Sequence, residues 1–595
     1  MGMNRLVKPI RRHTNAIKTA TTREFDGGWN VIDNDLNLDT RFAKTLKNMY
    51  RGQDGAIRVR QGNRLFADVG ESTIVNVEYF IAVLVVACEN GKLFTVNGLG
   101  EVTLLFDSAV AASLPGRPAA WGTTVFASFV ASKGHLIVLN GIDKPLDISP
   151  SLSISYLADP ATGSNAFVPR AKYGRQHGDY LVLAGDPLAP STVYISSKNT
   201  SGVFFGAPAP NDGVNVDLST KVPTGDTTIK GIGRYRDRLI ILFAECALVG
   251  SLGTYSGSTH VPEFSDPVDL YGAVSHRAIH TFGDDILFTD HVGVQAFTKS
   301  IFNTSLKPER VSELVDPEIQ KSLSQLTIEA LEDRVFAVHN RLEGQYILFI
   351  PNDDDNVTET RGFMFTNLRA LKIAHWAEIR GWNWRSGCRS QQGRLFFTNG
   401  SQIFLMGSEQ DPIYADFVGD QETFDDETVF TDGLGFTPVA DITDSGLPIA
   451  FEWIPPWQDL DKRSNSKLTK FIGFDTSGTA TFTVDMFVDN LLTDPSDLGE
   501  AFTDDLVFSD DYGFETETPT YTPSLSMSFA GGDRLGFGGD GFGQDFGGNR
   551  PSRNEQIYSW PAKGKILKLR FHGETRQPLR IVSYTLGYLE ASIRR

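Results

Sequence analysis

The 595-residue chain is predicted to be mainly β with few helices, a β-propeller body followed by a β-sandwich-like domain. Three observations predict it. Glycine (57), phenylalanine (41) and proline (28) are abundant while long 3.6-residue periodicities are few, which favours strands joined by turns. A turn leading into an apolar strand recurs between residues 70 and 410. Beyond residue 410 the texture changes to Phe/Asp/Gly-rich repeats interleaved with strand-like runs.

Taken in order, residues 1–24 form a basic arm. Arg5, Lys8, Arg11, Arg12, Lys18 and Arg23 stand there without an acid before residue 24, so a total charge of −18 leaves −24 for the remainder. Such an arm docks on an acidic partner or stays solvated. The body spans 25–410, with a lead-in segment over 25–69 and blades over about 70–410. Its recurring unit reads Gly91-Lys-Leu-Phe, Gly134-His-Leu-Ile, Gly178-Asp-Tyr-Leu, Arg236-Asp-Arg-Leu, Gly283-Asp-Asp-Ile and Gly393-Arg-Leu-Phe, with Glu332-Asp-Arg-Val before the last. Leu93, Leu136, Leu181, Leu239 and Ile286 are 43, 45, 58 and 47 residues apart, about the length of one four-stranded blade, so six or seven blades are expected. Two helices are expected. Asp316–Glu332 has a capping Asp316, Pro317 in the first turn and an apolar stripe, and Arg41–Tyr50 is shorter.

Residues 411–595 carry Phe424-Asp-Asp-Glu-Thr-Val-Phe-Thr-Asp-Gly-Leu-Gly-Phe436, which recurs as Phe502-Thr-Asp-Asp-Leu-Val-Phe-Ser-Asp-Asp-Tyr-Gly-Phe514 with seven of thirteen positions identical. Around the copies, Ile449–Ile454, Leu468–Asp475, Ala480–Val488, Ser524–Phe529, Ile566–Phe571 and Leu579–Leu586 supply strands for one sandwich. Gly531–Gly548, nine glycines in eighteen residues, cannot bury a core of its own. Phe424, Phe430, Phe436, Phe502, Phe508, Phe514, Phe537, Phe542 and Phe546 are therefore the candidate subunit-interface residues.

A pI near 5.1 argues against a general nucleic-acid binder, which supplies cations for phosphate. Cys88, Cys246 and Cys388 are widely separated, pointing to a reducing cytoplasm and excluding zinc knuckles. No apolar run is long enough to cross a bilayer, so stable membrane insertion is not expected.

No catalytic, cofactor-binding or metal-binding residue is assigned. Gly536-Phe-Gly-Gly-Asp-Gly541 matches a dinucleotide fingerprint, but no strand enters it and no helix leaves it. His276 and His280 have metal-sharing spacing without a zincin glutamate, and the stretch is expected to be extended. The acid clusters at 353–355, 425–427, 504–505 and 510–511 lack the order of a calcium loop and read as solvated turns. Trp376, Trp382 and Trp384, with Trp453 and Trp457, are either buried aromatic corners or a stacking surface for sugars or a partner.

Phe25-Asp-Gly-Gly-Trp-Asn, then Leu46-Lys-Asn48, then Gln53-Asp-Gly-Ala-Ile-Arg-Val-Arg-Gln-Gly62 resembles the start of tail nozzle, or tail tubular B-type, proteins of short-tailed bacteriophages (podoviruses). Leu139-Asn-Gly-Ile-Asp-Lys-Pro145, His177-Gly-Asp-Tyr-Leu-Val-Leu-Ala-Gly185, Val193-Tyr-Ile-Ser-Ser197 and Gly283-Asp-Asp-Ile-Leu-Phe-Thr-Asp-His-Val-Gly-Val294 continue the likeness in order. The resemblance covers about residues 25–300 and none of 411–595. It implies a structural, non-enzymatic virion protein made in the host bacterial cytoplasm. That protein would be a homohexameric tail tube below the portal and the adaptor (head-to-tail connector) ring, with tail fibres nearby. Genomic double-stranded DNA would be ejected through its lumen without sequence-specific binding. A carbohydrate-binding or depolymerising receptor-binding tail protein is the alternative.

Overall fold

The computed structural model describes residues 17–489 and 520–590 apart from internal stretches, the longer of which are 108–120, 205–212, 252–262, 300–305, 418–446, 461–466 and 529–552. Two compact units emerge, one made of 60–449 with 29–32, the other of 33–59 and 450–595 with the N-terminal residues through Gly28.

In the first unit, antiparallel hairpins succeed one another as four-stranded sheets, because each short apolar strand ends in a tight turn that returns the chain beside itself. Lys133 (φ 53°) and Gly134 (φ 82°) make one such turn, with both residues in the left-handed region a primed hairpin requires. Blade 1 comprises Ile74–Phe80, Val83–Cys88, Leu93–Val96 and Val102–Phe106. Blade 2 comprises Ser128–Ser132, His135–Leu139, Leu146–Ile148 and Ile154–Tyr156. Blade 3 is Tyr173–His177, Tyr180–Ala184, Thr192–Ile195 and Val214–Asp217. Blade 4 is Gly231–Tyr235, Arg238–Leu242 and Cys246–Ser251, with Glu263–Phe264 and Val268–Asp269 sharing the outer edge. Blade 5 is His280–Phe282, Asp285–Thr289, Val294–Lys299 and Leu306–Arg310. Blade 6 is Phe336–Asn340, Gln345–Pro351, Thr360–Leu368 and Ile373–Trp382. Ser386–Arg389, Leu395–Asn399 and Gln402–Met406 begin blade 7, and its fourth strand is Asn63–Asp68 from the other end of the body.

The first strands of the blades touch in a closed cycle, blade 1 to 2 and onward to 7 and back to 1. That cycle makes the body a seven-bladed propeller among the described residues. Between blades lie apolar layers. Leu136, Val138 and Leu146 of blade 2 meet Val85, Leu93 and Phe106 of blade 1, and Phe396, Ile403 and Leu405 of blade 7 meet Ile74, Val77 and Leu84 of blade 1. Each such side chain contributes about 1.5–3 kcal/mol on burial. Neither face of a blade could stay dry without its neighbour.

Pairing of Asn63–Asp68 with Gln402–Met406 closes the ring, and the chain enters this strand at a tight crossing. A Cβ on Gly62 would stand 2.0 Å from the Ala415 carbonyl oxygen, so only glycine fits there.

In the second unit two antiparallel sheets face each other. Lys467–Gly478 lies between Leu579–Glu590 and Arg553–Ser559 in one, while Thr481–Asp489 pairs with Ile566–Thr575 and Leu525–Ser528 in the other. Phe474 and Tyr584 from the first sheet meet Trp453, Phe482 and Phe571 from the second, and Phe25 sets its ring edge-on to Trp453 at 5.0 Å. This is a sandwich core. Lys18–Thr22, from the basic arm, pairs along Tyr584–Tyr588.

Two helix expectations change. Residues 41–50 are strands, because Thr45–Lys47 pairs with Glu452–Ile454 and Met49–Arg51 with Ile57–Val59, and Asn48 (φ 55°) breaks the path while donating to the Ala450 carbonyl at 2.7 Å. The expected Asp316–Glu332 helix is two. We label them α1 (Asp316–Leu323) and α2 (Ile328–Arg334), the second restarted by the Thr327 hydroxyl accepting from the Ala330 amide.

Candidate functional site

All nine candidate interface phenylalanines, the Gly536–Gly541 fingerprint and the acid clusters after residue 420 lie outside the described residues. Asp354 is a turn residue whose Oδ1 accepts from the Thr327 amide at 2.8 Å, bracing α2. Trp376, Trp382, Trp384 and Trp453 are buried, and Trp457 is half-buried beside the Lys568 ammonium, 5.6 Å away. His276 is not extended. It opens a 3-10 turn through Ala278, fixed by the Ser275 hydroxyl accepting from the Arg277 amide, and its Nδ1 accepts from the Ile232 amide at 3.2 Å. No group of three potential metal ligands occurs among the described residues.

The structure instead gathers chemistry at the two ends of the propeller axis, because all seven first strands run the same way along it. At the end where they begin lies a cavity of about 700 Å3 lined by Glu89, Asn90, Phe126, Asn140, Lys172 and Asp333. The end of α2 closes this mouth. Glu332 accepts from Lys172 at 3.1 Å and from Lys230, which also reaches Asp226 at 3.4 Å. Lys172 lies 2.7 Å from Asp333, and the Arg277 guanidinium donates to the Asp333 and Arg385 carbonyls at 3.0 Å each, while Arg385 pairs with Glu89 at 2.8 Å. Burial works to raise the Glu332 carboxyl, but Lys172 and Lys230 outweigh it and hold it below the usual range. Burial, with Glu332 and Asp333 beside it, pushes the Tyr173 hydroxyl well up. Cations and acids alternate here, so the mouth is a neutralised plug joining blades 1, 3, 4, 5, 6 and 7.

Near the other end, where first strands turn into second strands, the first strands carry Glu78, Arg175, Arg234, His280, His339 and Arg389. They come from blades 1, 3, 4, 5, 6 and 7. Burial raises Glu78 to about 7 against the pull of Arg175 and Arg389. Burial, reinforced by neighbouring arginines, lowers His280 and His339 to about 4 each, so both are neutral at pH 7. Arg175 is depressed chiefly by burial, with Glu78 opposing and Arg234 assisting. The charge on Arg175 is felt at Glu78 and at His280, which stand on blades that are not its neighbours. Cys388 alongside is no nucleophile, since burial drives its thiol well up.

No protein-family model matches the chain, and no curated protein matches it. Among solved structures it is similar to PorZ, a surface component of the type-IX secretion system of Porphyromonas gingivalis, at 11% identity and TM-score 0.32, covering 56% of this chain and 37% of that one. A streptogramin B lyase is similar at 10% identity and TM-score 0.36, over 58% of this chain and 98% of that one. The extracellular domain of the one-component system BT4673 from B. thetaiotaomicron is similar at 9% identity and TM-score 0.37, over 63% and 48%. This chain thus spans well under two thirds of PorZ and of the BT4673 domain. The propeller itself rests on the strand order and first-strand contacts above.

Proposed function

We propose that this chain is a non-enzymatic virion building block, the tail nozzle subunit of a short-tailed bacteriophage. Six copies would form the tube below the adaptor ring, near the tail fibres, through which genomic DNA leaves. The observation that carries the reading is the ordered series of phrases from Phe25-Asp-Gly-Gly-Trp to Gly283-Asp-Asp-Ile-Leu-Phe. A rigid seven-bladed wheel suits a part that bears load. In this reading the wheel's own axis, ringed by first strands packed in a closed cycle, is not the passage. A conduit would therefore run between copies, around a rotational axis built from heterologous contacts. Six chains at −18 each would present phosphate with a surface it does not adhere to.

The sugar-binding alternative loses its main support, since four of the five tryptophans in the two clusters are buried. Native mass spectrometry with and without the cognate adaptor tests the proposal. A species near six times 65.4 kDa that joins the adaptor ring is expected, and a stable monomer that never does so would end the reading. Oligosaccharide release from host polysaccharide would favour the alternative instead.

A further inference from the structure

Six of seven blades place one polar or charged side chain two or three residues before the first hairpin turn. Glu78 precedes the turn at 81, Arg175 that at 178, Arg234 that at 236, His280 that at 283, His339 that at 341 and Arg389 that at 391. Offsets of two or three residues on six parallel first strands bring these groups to within about one residue rise, roughly 3.3 Å, of a common level along the axis. Five of them are half-buried and Arg234 is exposed, so solvent reaches the level from the hairpin end. Arg175 and Arg389 act on one carboxylate, Glu78, and Arg234 adds to the field at Arg175. Among the described residues, Arg175, Arg234 and Arg389 make no ion-pair contact, the nearest polar bonds being Arg234 Nε to the Arg236 carbonyl at 3.1 Å and Arg389 to the His339 carbonyl at 3.5 Å. Arg341 adds to the positive rim, while Asp179 and Asp237 at the turns face Lys133 and His177.

Concentrated positive charge in partly dry surroundings is unfavourable unless an anion completes it. Guanidinium forks bind tetrahedral and planar oxyanions bidentately. We propose that the hairpin end of the propeller axis is a binding site for one small oxyanion of the phosphate or sulfate class, held by Arg175, Arg234 and Arg389. Glu78 is the built-in competitor. It occupies part of the same positive field and weakens the site when ionised.

Equilibrium dialysis of the full chain against radiolabelled inorganic phosphate in a chloride buffer tests this. Saturable binding of one phosphate per chain, displaced by sulfate, is expected. Arg175→Ala and Arg389→Ala should each weaken it at least tenfold, and Lys321→Ala, at an exposed position of α1, should leave it unchanged. Glu78→Gln should tighten it severalfold at pH 8, a gain of function that a misfolded variant cannot mimic. Absence of saturable binding, or wild-type affinity in both arginine variants, would overturn the assignment.

Discussion

Removing Asp416 should unfasten the propeller at the crossing where its closing strand enters. Arg60 and Asp416 are buried with side-chain exposures of 2% and 7%. The Arg60 guanidinium donates to both Asp416 oxygens, to the Gln61 carbonyl at 3.0 Å and to the Arg380 carbonyl at 3.1 Å, and stacks 3.9 Å over the Trp382 ring. Asp416 Oδ1 also accepts from Trp382 Nε1 at 2.9 Å and from Asn63 Nδ2 at 3.1 Å. Asp416→Ala therefore strands a buried cation and two further donors. Breaking a buried pair from one side costs about 3–5 kcal/mol, and the orphaned donors place this case at the upper end. Arg60→Met leaves Asp416 with two donors, so about 3 kcal/mol is expected. The double variant should cost little more than Asp416→Ala alone, because the two losses are the same interaction. At roughly 2 cal/mol/K per residue, a unit running from Arg60 to Ile449 should show a midpoint lowered by about 5 °C in a thermal melt followed by tryptophan fluorescence. Additive single effects, or a loss under about 1 kcal/mol for Asp416→Ala, would refute the claim that this pair is desolvated and shared.

Gly62→Ala at the same crossing should destabilise by about 2–4 kcal/mol in urea titration, since its Cβ would overlap the Ala415 carbonyl at 2.0 Å, and a neutral outcome would mean the crossing is looser than described. Trp453→Ala should cost the sandwich about 3–5 kcal/mol, read as earlier loss of amide protection in Lys467–Gly478 and Leu579–Glu590, with the propeller blades unaffected. Glu78→Gln should flatten a pH dependence. The folded carboxyl, at about 7 against an ordinary 4.5, keeps a proton the unfolded chain releases, so its contribution falls as pH rises through that window. In phosphate-free buffer the variant should match the parent near pH 4 and exceed it by up to about 2–3 kcal/mol at pH 8, and identical slopes would show that Glu78 is well solvated.

Second strands were the legible part of the propeller. Leu136, Leu181, Leu239, Ile286 and Leu395 all follow tight turns and all occupy second strands. The unit failed where turn chemistry changed. Gly91-Lys-Leu-Phe marks a third strand, and blade 6 turns through four residues, Arg341–Gly344, so Glu332-Asp-Arg-Val caught its first strand instead. Closure of blade 7 by Asn63–Asp68 leaves no local trace, because the partner lies more than 330 residues away and any alternating strand would serve. Nor was it legible that 33–59 would share a unit with 450–595. The axial groups are single polar residues on apolar strands, each unremarkable alone. Aligning the blades on the hairpin turn is the signal that finds them.

The two proposals place different demands on the molecule and can fail separately. A net charge of −18 coexists with three unpaired arginines near one level of the propeller axis, so the acidic surplus must be carried elsewhere. If copies assemble around an outer passage, their contacts do not involve first strands that are already packed in a closed cycle. Arg175→Ala should then weaken phosphate binding at least tenfold and leave a six-copy ring intact. A ring that fell apart in this variant would tie the axial charge to assembly, because only the packing of the wheel connects Arg175 to its rim.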